Sequence, residues 1–175
     1  KMQIPYVLID AFIENTHCLA YYGTNSFNSG YIAAKLMYQQ IGPDDKLAVF
    51  RFIRKGDSCS TQVLKREEGF RTYLDENHFR GTIYPVHIHA DDNEGNRNIL
   101  DSFFLLHGDV KAGIIFNSRV HVLGDYFKAR KKKDFKLIGY DILDENVAYL
   151  NNGLVTHLIA QRPEVQGVNC VRDLF

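Results

Sequence analysis

The sequence predicts an α/β protein with a parallel sheet flanked by helices on both faces. Three observations carry that prediction. Short apolar runs alternate along the chain with longer stretches of helical period, which is the pattern of strand-helix-strand units. Hydrophobic residues make up 45% of the 175, enough for an ordinary packed core. No low-complexity stretch or Pro/Gly/Ser linker divides the chain, so any lobes must be joined by short crossovers.

Strands are expected at about residues 4–9, where Tyr6-Val7-Leu8-Ile9 reads as a buried run, and near 19–23. Residues 26–41 read as a helix carrying Tyr31, Ala34, Leu36 and Met37, stopped by Gly42-Pro43. The strand 46–52 then precedes a helix over 61–76, with Val63, Leu64, Phe70 and Leu74 roughly on one stripe. The same step repeats as strand 82–89 and helix 94–107, strand 112–116 and helix 119–130, strand 135–140 and helix 143–150, then strand 154–159 and helix 164–175. The abrupt apolar start, lacking a preceding partner strand, reads as a piece of a longer protein.

Charge and cysteine content narrow the function classes. Lys plus Arg equals Asp plus Glu at 21 each, so no overall field attracts a phosphate backbone or an anionic membrane. Cys18, Cys59 and Cys170 are far apart and form no CxxC pair, which fits a reduced, cytoplasmic setting. There is no apolar run of membrane-spanning length and no apolar core of a signal peptide at the start.

Ligands of open parallel sheets sit beyond the carboxyl ends of the strands. Just past the expected strands lie Asn25, then Ser58 to Ser60 with Arg66, then His89 and Asp91, then Asn117, then Asp141. Asp, Asn and Arg hydrogen-bond in pairs to adjacent hydroxyls, so the set suits a neutral polyol. The other reading is that these residues cap helices and satisfy turns, where Asn and Asp are favoured anyway. Spacing alone reaches no further than an α/β domain with a polar crevice.

Other chemistries are weaker in the pattern. His87-x-His89 with Asp91 offers imidazoles and a carboxylate but no fourth ligand, so no metal is expected. The basic run Lys128 to Lys133 ends an expected helix, where cations complement the dipole. Asp91-Asp92 and Asp141 follow different strands, which argues against a phosphoacceptor pocket. Cys59 sits in a polar loop without a GxSxG-type elbow, and neither GxGxxG nor GxxxxGK[ST] occurs, so neither catalysis nor a nucleotide cofactor is expected.

Several stretches together resemble the effector-binding domain of the lactose-repressor (LacI/GalR) family, which has a periplasmic-binding-protein-like fold of type I. Ile4-Pro5-Tyr6-Val7-Leu8-Ile9-Asp10 is similar to that family's IPVVLID strand. Asn25 with Gly30-Tyr31-Ile32-Ala33-Ala34 is similar to its DN…GGY.AA helix start, and Arg66-Glu67-Glu68-Gly69-Phe70 to R..GF. Phe116-Asn117 matches FAND, Leu137-Ile138-Gly139-Tyr140-Asp141 matches VVGYD, and Val155 to Gln161 followed by Gly167 resembles LTTIRQ…G. Each motif is weak alone, and their order and spacing together are specific.

The resemblance implies a two-lobed receptor whose effector, a sugar or sugar derivative, lies between lobes and alters the grip of a helix-turn-helix headpiece on operator DNA. On that basis residues 1–25 are expected as a remnant of the N-terminal lobe, 26–158 as the C-terminal lobe, with packing of 26–41 against the N-terminal lobe as the alternative for that stretch, and 159–175 as the crossover back. Asp141 and Arg66 would bind hydroxyl pairs, Asn25 and Asn117 would orient the ring, and His89 lies near a family aromatic. Replacing Asp141 or Arg66 by Ala is expected to abolish effector binding with the fold intact. The expected partners are the effector, operator DNA through a headpiece absent from this chain, and a second copy in a homodimer, without a membrane or a cofactor. An extracytoplasmic sugar-binding protein of the same fold is the alternative. Ser118 and Arg119 depart from the family's Asp after the Asn, which puts the local chemistry at that strand end in question.

Overall fold

The computed structural model describes residues 4–13, 15–53, 60–89 and 92–174. In chain order the elements are β1 (Leu8–Ile9), β2 (Tyr21–Tyr22), α1 (Ser26–Tyr38), β3 (Lys46–Ile53), α2 (Thr61–Glu76), β4 (Ile83–His89), α3 (Asn93–Leu106), β5 (Val110–Ile115), α4 (Val120–Ala129), β6 (Lys136–Tyr140), α5 (Asp144–Asn151), β7 (His157–Ile159) and α6 (Pro163–Leu174). They divide into two compact units, residues 26–159 in one and residues 1–25 with 160–175 in the other.

The larger unit is built on a five-stranded parallel sheet in the order β4-β3-β5-β6-β7. Because β3 has β4 on one side and β5 on the other, successive crossovers leave in opposite directions and helices must cover both faces. Side-chain alternation along each strand supplies the two cores. Leu47 and Val49 of β3, Ala112 and Ile114 of β5, and Ile138 and Tyr140 of β6 pack with Ala33, Ala34 and Met37 of α1 and Phe70 and Leu74 of α2. Ala48 and Phe50, Ile115 and Leu137 point the other way, toward Leu100 of α3 and Leu123 and Phe127 of α4. The expected doubly covered parallel sheet is therefore the observed one.

Helices α1 and α2 meet backbone to backbone. A Cβ on Gly30 would stand 1.8 Å from the carbonyl oxygen of Arg66, and one on Gly69 would stand 2.0 Å from that of Phe27. Only glycine permits so close an approach at both positions. Next to this crossing, the Glu67 carboxylate takes two bonds from Arg51, at 2.9 and 2.5 Å, and one from Arg71 at 2.9 Å. Burial pushes the Glu67 pKa up, but the two guanidinium groups outweigh it and hold the carboxyl below its ordinary value.

In the smaller unit β1 and β2 pair in parallel, the Tyr22 hydroxyl bonds Asp173 of α6, and Gln166 of α6 reaches Thr24 at 3.4 Å. The run expected as a buried strand at 4–9 forms a ladder only at Leu8–Ile9, and Tyr6 and Ile9 are exposed. Two short strands and one helix cover too little surface to bury it.

Two boundaries also differ. Helix α1 ends at Tyr38, before Gly42-Pro43, because the Gln40 side chain takes over the Leu36 carbonyl at 3.0 Å while its backbone N–H turns to Met37 at 2.9 Å. Leu154 and Val155 belong to the core but not to a strand. Their N–H groups close the end of α5 on the Tyr149 carbonyl at 3.0 and 3.1 Å, after Gly153 at φ 72°.

Candidate functional site

The reversal of strand order at β3/β5 is where an open parallel sheet leaves a crevice beyond its carboxyl ends. Three of the five expected residues converge on the β5 and β6 ends. Arg66 comes from the second turn of α2 and is 4% exposed. Its Nη1 donates to the Phe116 carbonyl at 2.8 Å, and its guanidinium carbon lies 4.5 Å from the centre of the Tyr140 ring. It therefore underpins the residues immediately before Asn117 and Asp141. Burial pushes the Tyr140 hydroxyl up to about 12, against the opposing effects of Ser29 and the Arg66 charge, so it stays a neutral donor at any physiological pH.

Asn117 opens the turn into α4: its Oδ1 accepts the Arg119 N–H at 2.9 Å. That bond is the turn role open to it from the sequence, and it engages the Oδ1 side of the amide. Arg119 places its guanidinium 5.3 Å from the centre of the Phe52 ring near the end of β3, so the departure from the family pattern puts a cation at this corner.

Asp141 follows β6 in a left-handed conformation, φ 68°. Its N–H donates to the Ile159 carbonyl at 3.0 Å and its own carbonyl accepts from Asn146 at 3.1 Å. The half-buried carboxylate thus hangs from a backbone held on both sides.

The other two expected residues lie on other segments. His89 ends β4, which β3 separates from β5, and its side chain is exposed. Asn25, also exposed, is the last residue of the smaller unit before α1. Ser58, Cys59 and Asp91 lie outside the described residues, and no group of three His, Cys, Asp or Glu suited to a metal occurs among the described ones. The basic run is partly engaged: Arg130 pairs with Asp101, and Lys132 lies 4.0 Å from the Phe104 ring centre.

Two buried asparagines were missed in the sequence. Asn96, 3% exposed, clamps the His89 backbone by accepting its N–H and donating to its carbonyl, both at 2.7 Å. Asn146 is fully buried and donates to the carbonyls of Ser118, Tyr140 and Asp141. Asparagine is a poor helix former, and its place inside two expected helices was the available signal. A cavity of about 400 Å³ between α3 and α4 is lined by Asn93, Asn96, Arg97, Val122 and Asp125 among others, and by none of the five expected residues.

A parallel sheet covered on both faces, whose strand order reverses at β3/β5, defines an α/β protein of the doubly wound type. The chain belongs to the periplasmic binding protein domain family, which matches it over residues 1–175. It is 44% identical to a candidate LacI transcriptional regulator from Bacteroides fragilis, with a TM-score of 0.90, over 98% of this chain and 59% of that one. A sugar-binding protein of a sugar ABC transporter from Bacillus halodurans shares the fold at 18% identity and a TM-score of 0.85, over 98% of this chain and 58% of that one. So does an ABC transporter solute binding protein from Agrobacterium vitis with bound D-fucose, at 21% identity and a TM-score of 0.80, over 98% and 59%. The chain thus spans less than two thirds of the length of each. No curated protein matches it. Among the described residues no helix is long and apolar enough to cross a membrane.

Proposed function

We propose that this chain is the effector-binding part of a cytoplasmic LacI-type transcriptional regulator that responds to a sugar or sugar derivative. The observation that carries this is the 44% identity to the Bacteroides fragilis protein across 98% of the chain. The strand-end geometry agrees with it: a carboxylate at Asp141, an amide at Asn117 and a guanidinium at Arg66 beneath them suit a ring of hydroxyls. On this reading residues 26–159 are the C-terminal lobe, the remaining residues are part of the N-terminal lobe, and the regulator works as a homodimer. Effector binding shifts the population between two arrangements, one of which grips operator DNA through a helix-turn-helix headpiece.

The reading makes the chain a binding module and not an enzyme. Calorimetric titration with D-fucose, D-arabinose, D-xylose and D-galactose is expected to show saturable binding of at least one without turnover. Consumption of the sugar would sink the reading. An extracytoplasmic sugar-binding protein is the second reading, favoured by the shared fold of the two transport proteins. An operator-length DNA duplex released or captured by the full-length protein on sugar addition decides for the regulator, and no DNA binding in either state decides for the transport role.

A further inference from the structure

We infer that Asn146 is the positioning residue of the effector site, joining the loop that carries Asn117 to the loop that carries Asp141; this rests on the proposed binding role of those two residues. Asn146 sits in the first turn of α5, is fully buried and has every valence of its amide in use. Nδ2 donates toward three backbone carbonyls, Ser118 at 2.9 Å, Tyr140 at 3.1 Å and Asp141 at 3.1 Å. Oδ1 faces the backbone N–H and the Nδ1 of His121, both at 3.2 Å, which calls for the tautomer with a proton on Nδ1.

The partners fall on two different connections. Ser118 and His121 belong to the turn after β5 and the start of α4, and Tyr140 and Asp141 to the end of β6. No hydrogen bond of the sheet ladder performs this function, since β5 and β6 pair only as far as Ile114 and Ile138. One carboxamide therefore replaces the missing ladder beyond the strand ends. It fixes the spacing between the two groups expected to meet one sugar ring, so that they act as a rigid pair. A carboxylate at 146 would keep the acceptor side and turn an oxygen toward three carbonyl oxygens, whereas Ala would remove both sides.

The test is residue-resolved amide hydrogen exchange on the full-length protein, wild type against Asn146→Asp and Asn146→Ala, with Asn96→Ala as a comparison at the β4 end. Losing one hydrogen bond speeds local exchange by about tenfold, and that acceleration is expected at Ser118 to His121, Asp141 and Ile142 in both Asn146 variants. Amides of β3 and the middle of β5 are expected to keep their protection. Unchanged exchange in the two loops overturns the inference, as does a uniform loss across residues 26–159, which marks a merely structural role. If the variants do not fold, the wild type still decides, because both Asn146 side-chain amide protons must be protected, and free exchange there overturns it. Titration with the same four sugars runs beside it. A wild type that binds none of them counts against the sugar reading, while the exchange data judge Asn146 independently.

Discussion

At position 141 the backbone conformation suits the same residue that the proposed sugar contact calls for. A left-handed φ of 68° is costly for a side chain with a Cβ, least so for Asn and Asp and not at all for Gly. Asp141→Asn is therefore expected to keep the melting temperature while weakening sugar binding at least tenfold, because a charge-assisted bond is lost. Asp141→Ala is expected to lose about 1 kcal/mol of stability besides. Equal affinity of the Asn variant and the wild type in calorimetry would remove Asp141 from the site. Arg66 differs from the sequence-based expectation, since its bond to the Phe116 carbonyl and its place on Tyr140 make Arg66→Ala a stability lesion as well as a binding one. Glu67 supplies a pH dependence. Its folded pKa lies below its ordinary value, so its stabilisation is complete above the ordinary carboxylate range and is lost as pH falls through the folded pKa. Glu67→Gln is expected to flatten the acid side of the stability profile, measured by thermal melts between pH 7 and 3, and to cost about 3 kcal/mol at neutral pH. Asp141, Asn117 and Arg66 were legible as polar groups beyond strands. Asn96 and Asn146 were not singled out, because they bind the backbone of residues outside their own helices, 5 to 28 positions away, which no local pattern displays.

Among the elements, the crossing of α1 and α2 shows why two short motifs contain glycine. Gly30 of the first and Gly69 of the second each face a carbonyl of the opposite helix, including that of Arg66 itself. Spacing revealed the glycines and the helices that carry them, and hid that they face one another. Gly30→Ala is expected to force the helices apart, costing about 1 to 3 kcal/mol by overpacking, and to displace Arg66 from Tyr140. A reduced melting temperature together with weaker sugar binding is the expected outcome, and an unchanged melting temperature would show that the crossing relaxes freely. Helix α2 was legible at both ends, 61–76, although its apolar stripe is loose, with Phe70 and Leu74 buried and Leu64 exposed. The run 154–159 was misread at its start because an apolar helix terminus and an apolar strand look alike over a few residues.

For the molecule as a whole, both hydrophobic clusters draw every buried member from residues 26–159. A chain trimmed to those residues is expected to melt in one cooperative transition, and a broad, non-cooperative one followed by circular dichroism would refute it. The doubly covered sheet was readable from the alternation of runs, whereas the strand order was not, since period says nothing about which neighbour a strand chooses. The smaller unit is discontinuous in sequence: Tyr22 and Thr24 find their partners Asp173 and Gln166 only after the chain has passed through all of residues 26–159. While that intervening stretch is unfolded, holding the two pieces together carries the entropy cost of closing a very long loop. Once it has folded, the loop is replaced by a rigid body with fixed ends, and most of that cost disappears. A kinetic order follows: in refolding, residues 26–159 gain protection first, and the β1-β2-α6 unit is completed last.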